Sequence, residues 1–127
     1  MIALRIKPIA VLLAIGLLAL AGCRPSPVNA PTAEPSPEVD VAIHELFDPI
    51  GQYGCFKSIA WRESRYSPTA VGGGQYLGLF QIRQSSGVWA NESANKGWPL
   101  DPFNPRDNAI AARAMFDVSG ISPWGRC

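Results

Sequence analysis

Apolar and polar positions divide the chain into three stretches. From Ile9 to Ala21 nearly every residue is apolar, with Arg5 and Lys7 ahead of the run. From Arg24 to Glu38 bulky apolar residues almost vanish, and proline recurs at Pro25, Pro27, Pro31, Pro35 and Pro37. From Val41 to Cys127 apolar positions return at spacings that predict short elements. The first stretch is too short to span a bilayer comfortably and has the length of a secretory-signal core. The second cannot bury enough surface to fold. Its prolines stiffen it into a spacer of about 3.1 Å per residue, long enough to hold a domain roughly a few tens of Å from its anchor. The expected layout is 1–22 as a signal segment, 23–40 as a tether and 41–127 as one small domain.

Within that domain Asp40 is placed to cap a helix that ends at Asp48, before Pro49. Gln52 to Arg65 reads as a second helix, stopped by Ser67-Pro68. Gly72-Gly73-Gly74 forces a loop, Tyr76 to Ile82 predicts a short strand or an extended segment, and Ser85 to Trp89 predicts another short helix. The best-marked helix comes last. Asn104 is its N-cap, Pro105 its first residue, Asp107 lies in its first turn, and Gly120 suits its stop. Ile110, Ala111, Ala114, Met115 and Val118 form an apolar stripe along it. The expected class is α+β, mainly α.

The cysteine count changes the picture at the front of the chain. Leu20-Ala21-Gly22-Cys23 closes the apolar run and resembles the lipobox of bacterial lipoproteins. The resemblance implies a lipidated, typically palmitate-bearing Cys23 as the first mature residue, on the extracytoplasmic side of a bacterial membrane. Three cysteines is an odd number for an exported chain. With Cys23 lipidated, Cys55 and Cys127 remain as one expected disulfide in an oxidising compartment. Charge is close to balanced: eleven basic residues, less Arg5 and Lys7, stand against ten acidic ones. That balance offers no basic stripe for nucleic acid. His44 is the sole histidine, which excludes a His-Cys metal cluster or a His-based triad, and no cofactor is implied.

One carboxylate stands out. Phe56, Ile59, Ala60 and Glu63 share a face of the second predicted helix, while Lys57 and Ser64 fall on the other side. Glu63 therefore projects from the end of an apolar stripe. Desolvation favours the protonated form of a carboxylate, and an acid that keeps its proton can deliver it to a leaving oxygen. A surface ion pair with Arg62 and Arg65 fits the same spacing, and periodicity does not separate the two.

Glu63-Ser64, Ser67-Pro68, Ala70 and Gly78-Leu79-Phe80-Gln81 together resemble the lysozyme-like lytic transglycosylase domain. Pro105 and Asn108 within Asn104–Phe116 are similar to a later family helix, and Ser122-Pro123-Trp124 is similar to endings among actinobacterial and phage relatives. Gly72 and Gln75-Tyr76 depart from the family pattern, and its third motif, Ala-Tyr-Asn on a later helix, has no counterpart.

The resemblance implies cleavage of the β-1,4 bond between N-acetylmuramic acid and N-acetylglucosamine in peptidoglycan, with Glu63 as the single acid and base. No acid lies between Glu63 and Glu92, although Asp101, Asp107 and Asp117 remain free to fold back. Gln81 is expected to bond sugar or position the glutamate, and Asn108 to join the same shell. Tyr76 and Trp89 are candidates for stacking on sugar rings. Trp98 and Trp124 read as packing residues. Two rivals stand beside this expectation. One is a hydrolytic lysozyme. The other is a non-catalytic lipoprotein that binds glycan or a lytic or phage protein.

Overall fold

Ser36-Pro37 starts the first helix in the computed structural model, which describes residues 33–127. The signal segment 1–22, Cys23 and most of the proline-rich stretch lie outside the described residues. Helix α1 spans Pro37–Phe47, and the Ser36 hydroxyl accepts from the Val39 amide at 3.4 Å. The start precedes the expected Asp40 cap because serine followed by proline is already an N-cap and N1 pair. Asp40 sits in the first turn instead and accepts from the Tyr53 hydroxyl at 2.6 Å. Val39, Ala42, Ile43 and Phe47 form the buried face. A 3₁₀ turn, Asp48–Ile50, follows.

Helix α2 spans Tyr53–Ser64 and buries Phe56, Ile59, Ala60 and Ser64. The Phe47 and Phe56 rings stack with centroids 3.6 Å apart, and Phe80 meets both edge-on at 5.8 and 5.6 Å. This aromatic knot joins the two helices to the small sheet. Its strands are β1 Val71–Gly72, β2 Tyr76–Leu77 and β3 Ile82–Arg83, antiparallel in that order. Val71 pairs with Leu77, and Leu77 with Ile82.

The strand or extended segment expected over Tyr76–Ile82 is thus two strands with a turn between them. Gly78 (φ 74°) and Gln81 (φ 50°) are left-handed and the Gln81 amide donates to the Gly78 carbonyl at 3.2 Å. The turn sends Leu79 and Phe80 into the core, both fully buried.

Helix α3 spans Val88–Lys96, displaced from the expected Ser85–Trp89, and buries none of its residues. A helix without an apolar stripe leaves little pattern to read. Helix α4 spans Pro105–Ser119 and starts as expected, with the Asn104 side chain accepting from the Asp107 amide at 3.0 Å. Ala109, Ala111 and Ala112 let its neighbours pack close to the backbone. Ile110 and Ala111 are buried, but the last stripe residue, Val118, is 87% exposed. Arg106 of α4 clasps Glu45 of α1 at 2.7 Å and holds its carboxyl below the ordinary glutamate range, chiefly by that hydrogen bond. A closing 3₁₀ turn spans Ser122–Trp124. The fold is mainly helical with a small sheet, as expected.

The expected Cys55–Cys127 disulfide is present and closes a loop of 72 residues between α2 and the last residue. Loop closure of this length constrains the unfolded chain. Reducing it is expected to lower unfolding stability by about 2–4 kcal/mol. Urea midpoints of the full chain with and without a dithiol reductant check this, and coincident midpoints would refute it.

Candidate active site

Glu63 is the last residue but one of α2, and the helix end around it is tightly held. The Ser64 hydroxyl lies within hydrogen-bond reach of the Ala60 carbonyl at 3.0 Å and the Leu79 carbonyl at 2.8 Å. Ser64 is therefore buried, contrary to its expected place on the wet side, because the Gly78–Gln81 turn folds over it. Arg65 (φ 54°) and Tyr66 (φ 61°) then turn the chain through two successive left-handed residues. Such strained backbone persists only where packing enforces it. Tyr66 packs on the core, and burial pushes its hydroxyl pKa up.

The Glu63 side chain is 29% exposed, and its one ion-pair contact among the described residues is with Arg62, whose Nε lies 3.4 Å from its Oε1. Arg65 turns away, its guanidinium 4.6 Å from the Trp61 ring centroid. The carboxylate opens into a cleft of ≈ 330 Å³. Tyr76 of β2, Ile82 and Arg83 of β3, Gln81 between them and Met115 of α4 line it. Pro123 and Trp124 of the closing turn form another wall.

Among the residues lining this cleft, Glu63 is the only carboxylate. The acids left open by the sequence are engaged elsewhere. Asp117 accepts from Arg113 at 2.9 Å, Asp107 from the Asp101 amide at 2.9 Å, and Asp101 from the Phe103 amide at 2.9 Å. Larger hollows of ≈ 630 and ≈ 570 Å³ border α1, but two of their carboxylates are already paired. Glu45 holds Arg106, and Asp48 lies 3.5 Å from His44.

Gln81 does line the cleft, but its amide serves the hairpin. Nε2 donates to the Gly78 carbonyl at 2.9 Å and the Ala70 carbonyl at 3.2 Å. That leaves Oε1 to accept a hydrogen bond. Oε1 lies over Gly72, where any Cβ would collide with it, so glycine at that departure from the family pattern makes room for the glutamine.

Asn108 is placed differently from its expected role. It is fully buried, accepts from the Phe80 amide at 2.9 Å, and donates to the Leu77 and Pro102 carbonyls at 3.1 and 2.9 Å. All its capacity goes to clamping the hairpin on α4, so it has no exposed atom for a sugar.

Tyr76 is 40% exposed at the cleft. Trp89 does not line the cleft; it packs on the core and donates to the Arg83 carbonyl at 3.0 Å. The aromatic that the sequence assigned to packing alone is Trp124. It meets Phe56 edge-on at 5.2 Å, donates to the Phe80 carbonyl at 3.1 Å, and also lines the cleft. Its own carbonyl accepts from Arg62 Nη2 at 2.9 Å. The terminal Ser-Pro-Trp similarity is the one signal that marked it. Arg62 was marked only as an ion-pair partner for Glu63 and Met115 only as part of the α4 stripe, and Arg83 carried no signal.

Among the described residues no three His, Cys, Asp or Glu side chains gather closely enough to hold a metal ion. No described helix is long and apolar enough to cross a membrane.

Residues 45–119 match the family model described as the transglycosylase SLT domain. No curated protein and no solved structure matches the chain.

Proposed function

Because the chain belongs to the transglycosylase SLT domain family, we propose that it cleaves the glycan of peptidoglycan with Glu63 as the one acid and base. The family supports a transglycosylase-type activity on this polymer in general. The finer reading rests on one observation: a single carboxylate faces the cleft that the motif residues build.

In the first step protonated Glu63 donates to the glycosidic oxygen between N-acetylmuramic acid and N-acetylglucosamine. The bond from that oxygen to the muramoyl C1 breaks through an oxocarbenium-like transition state. Glu63, now a carboxylate, takes the proton from the muramoyl 6-hydroxyl, whose oxygen bonds to C1. The products are a 1,6-anhydromuramoyl end and a free 4-hydroxyl, and Glu63 ends protonated as it began. No water is consumed and no second carboxylate is required. Inverting and most retaining glycosidases need two. Tyr76 and Trp124 offer aromatic surface to sugar rings. Gln81 Oε1 accepts from a hydroxyl or acetamido N–H.

The lipobox and tether extend the proposal to location. Cys23 carries lipid, and the proline-rich spacer holds the domain off a bacterial membrane within reach of the wall.

The experiment is digestion of purified sacculi by the full chain, with released muropeptides weighed by mass spectrometry. Anhydro ends are expected. Products heavier by one water would mean a hydrolase instead, and binding without release would overturn the enzymatic proposal. Membrane fractionation of the same chain, lost in Cys23→Ser, checks the anchor.

A further inference from the structure

We propose that Arg62 is a positioning residue: its one guanidinium ties Glu63 to the closing turn and fixes which way the carboxylate faces. The inference rests on Glu63 being the acid and base.

Adjacent residues of a helix project about 100° apart, so their side chains do not ordinarily meet. Arg62 nevertheless reaches its neighbour, with Nε 3.4 Å from Glu63 Oε1. A second contact holds it there: Nη2 donates to the Trp124 carbonyl at 2.9 Å, 62 positions along the chain. Trp124 is a firm anchor. Its Nε1 donates to the Phe80 carbonyl at 3.1 Å and its ring meets Phe56 edge-on at 5.2 Å. Beyond it the chain is bonded through Cys127 to Cys55 of α2. Arg65 lies over the Trp61 ring instead, and among the described residues no other side chain donates to Glu63.

A guanidinium suits this place because its donors form a rigid planar fork, so Nε and Nη2 serve two acceptors at once. An ammonium is a single point and reaches only one of them. With an N–H on Oε1, that oxygen is an acceptor, and Oε2 is left to carry the proton. Glu63 has to meet two oxygens in turn, the glycosidic one and the 6-hydroxyl. Arg62 keeps the carboxylate in one orientation for both.

The test measures initial rates of anhydro-muropeptide release by the full chain over a range of sacculus concentrations. Arg62→Gln and Arg62→Lys are each expected to lower the saturated rate about tenfold, as misorientation of a reacting group does. Half-saturating concentration and melting temperature are expected to stay unchanged. In a Glu63→Asp background the shortened carboxylate is already beyond Arg62, so adding Arg62→Gln is expected to cost less than about twofold. A full rate in either single variant overturns the proposal, and in Arg62→Lys it means that charge alone suffices. A loss that follows a lowered melting temperature, or recurs undiminished in the Glu63→Asp background, assigns Arg62 to holding the turn and also overturns it. In each of these cases the Glu63 assignment stands if Glu63→Gln is inactive. No release by the unsubstituted chain removes both.

Discussion

Glu63→Gln is expected to lower turnover of sacculi by about 10³-fold, the scale of a lost general acid and base. The amide keeps the volume and polarity of the carboxyl group but has no proton to give. Folding is expected to change by less than about 1 kcal/mol, since the carboxylate makes one long contact to Arg62 near the surface. Glu63→Asp is expected to fall between the two. It retains an acid but withdraws it from the reacting oxygen, and a displacement of about 1 Å costs on the order of 10²-fold. Initial rates of muropeptide release and thermal melts of all three proteins make the comparison. Undiminished turnover in Glu63→Gln would remove the site assignment.

Gly78→Ala is expected to destabilise the domain by about 4 kcal/mol or more, a size that needs a specific mechanism. Gly78 has φ 74°, where an L side chain is strained, and a Cβ there would collide with the Pro102 carbonyl oxygen and the Asn108 amide. Neither neighbour yields easily. The first is backbone. The second is the buried clamp that pairs with Leu77, Phe80 and Pro102. Displacing it leaves buried polar groups unpaired, at about 1–3 kcal/mol each. Gly73→Ala is the control. It has φ 56° but open space around its Cβ position, so only the backbone cost of about 1–2 kcal/mol applies. Urea unfolding of the two variants separates the effects, and equal losses would refute the clamp.

This clamp also accounts for the burial of Asn108, which its place in the sequence does not reveal. Asn104, Pro105 and Asp107 announce the start of α4 because caps act over one turn of chain, and that start is where they place it. Asn108 is a polar residue in the same first turns, and nothing local distinguishes a side chain facing water from one facing three carbonyl and amide groups. The Gly-Leu-Phe-Gln motif identified the family, which the match over 45–119 shows. Leu79 and Phe80 suit an extended segment, and the left-handed conformations at Gly78 and Gln81 convert it to a turn.

Local chemistry was enough to establish the mainly helical class, the last helix with its cap, the cysteine pair and the likeness to transglycosylases. These depend on backbone preferences, counts and motifs carried within short segments. The cleft depended on contacts between distant positions: Ser64 with Leu79, Asn108 with Phe80, and Trp124 with Phe80 and Arg62. Periodicity describes one element's faces, but which face is covered is decided by the partner that arrives. Ser64 was thus buried by a turn formed fifteen residues later, and Val118 stayed bare because no described element covers its side chain.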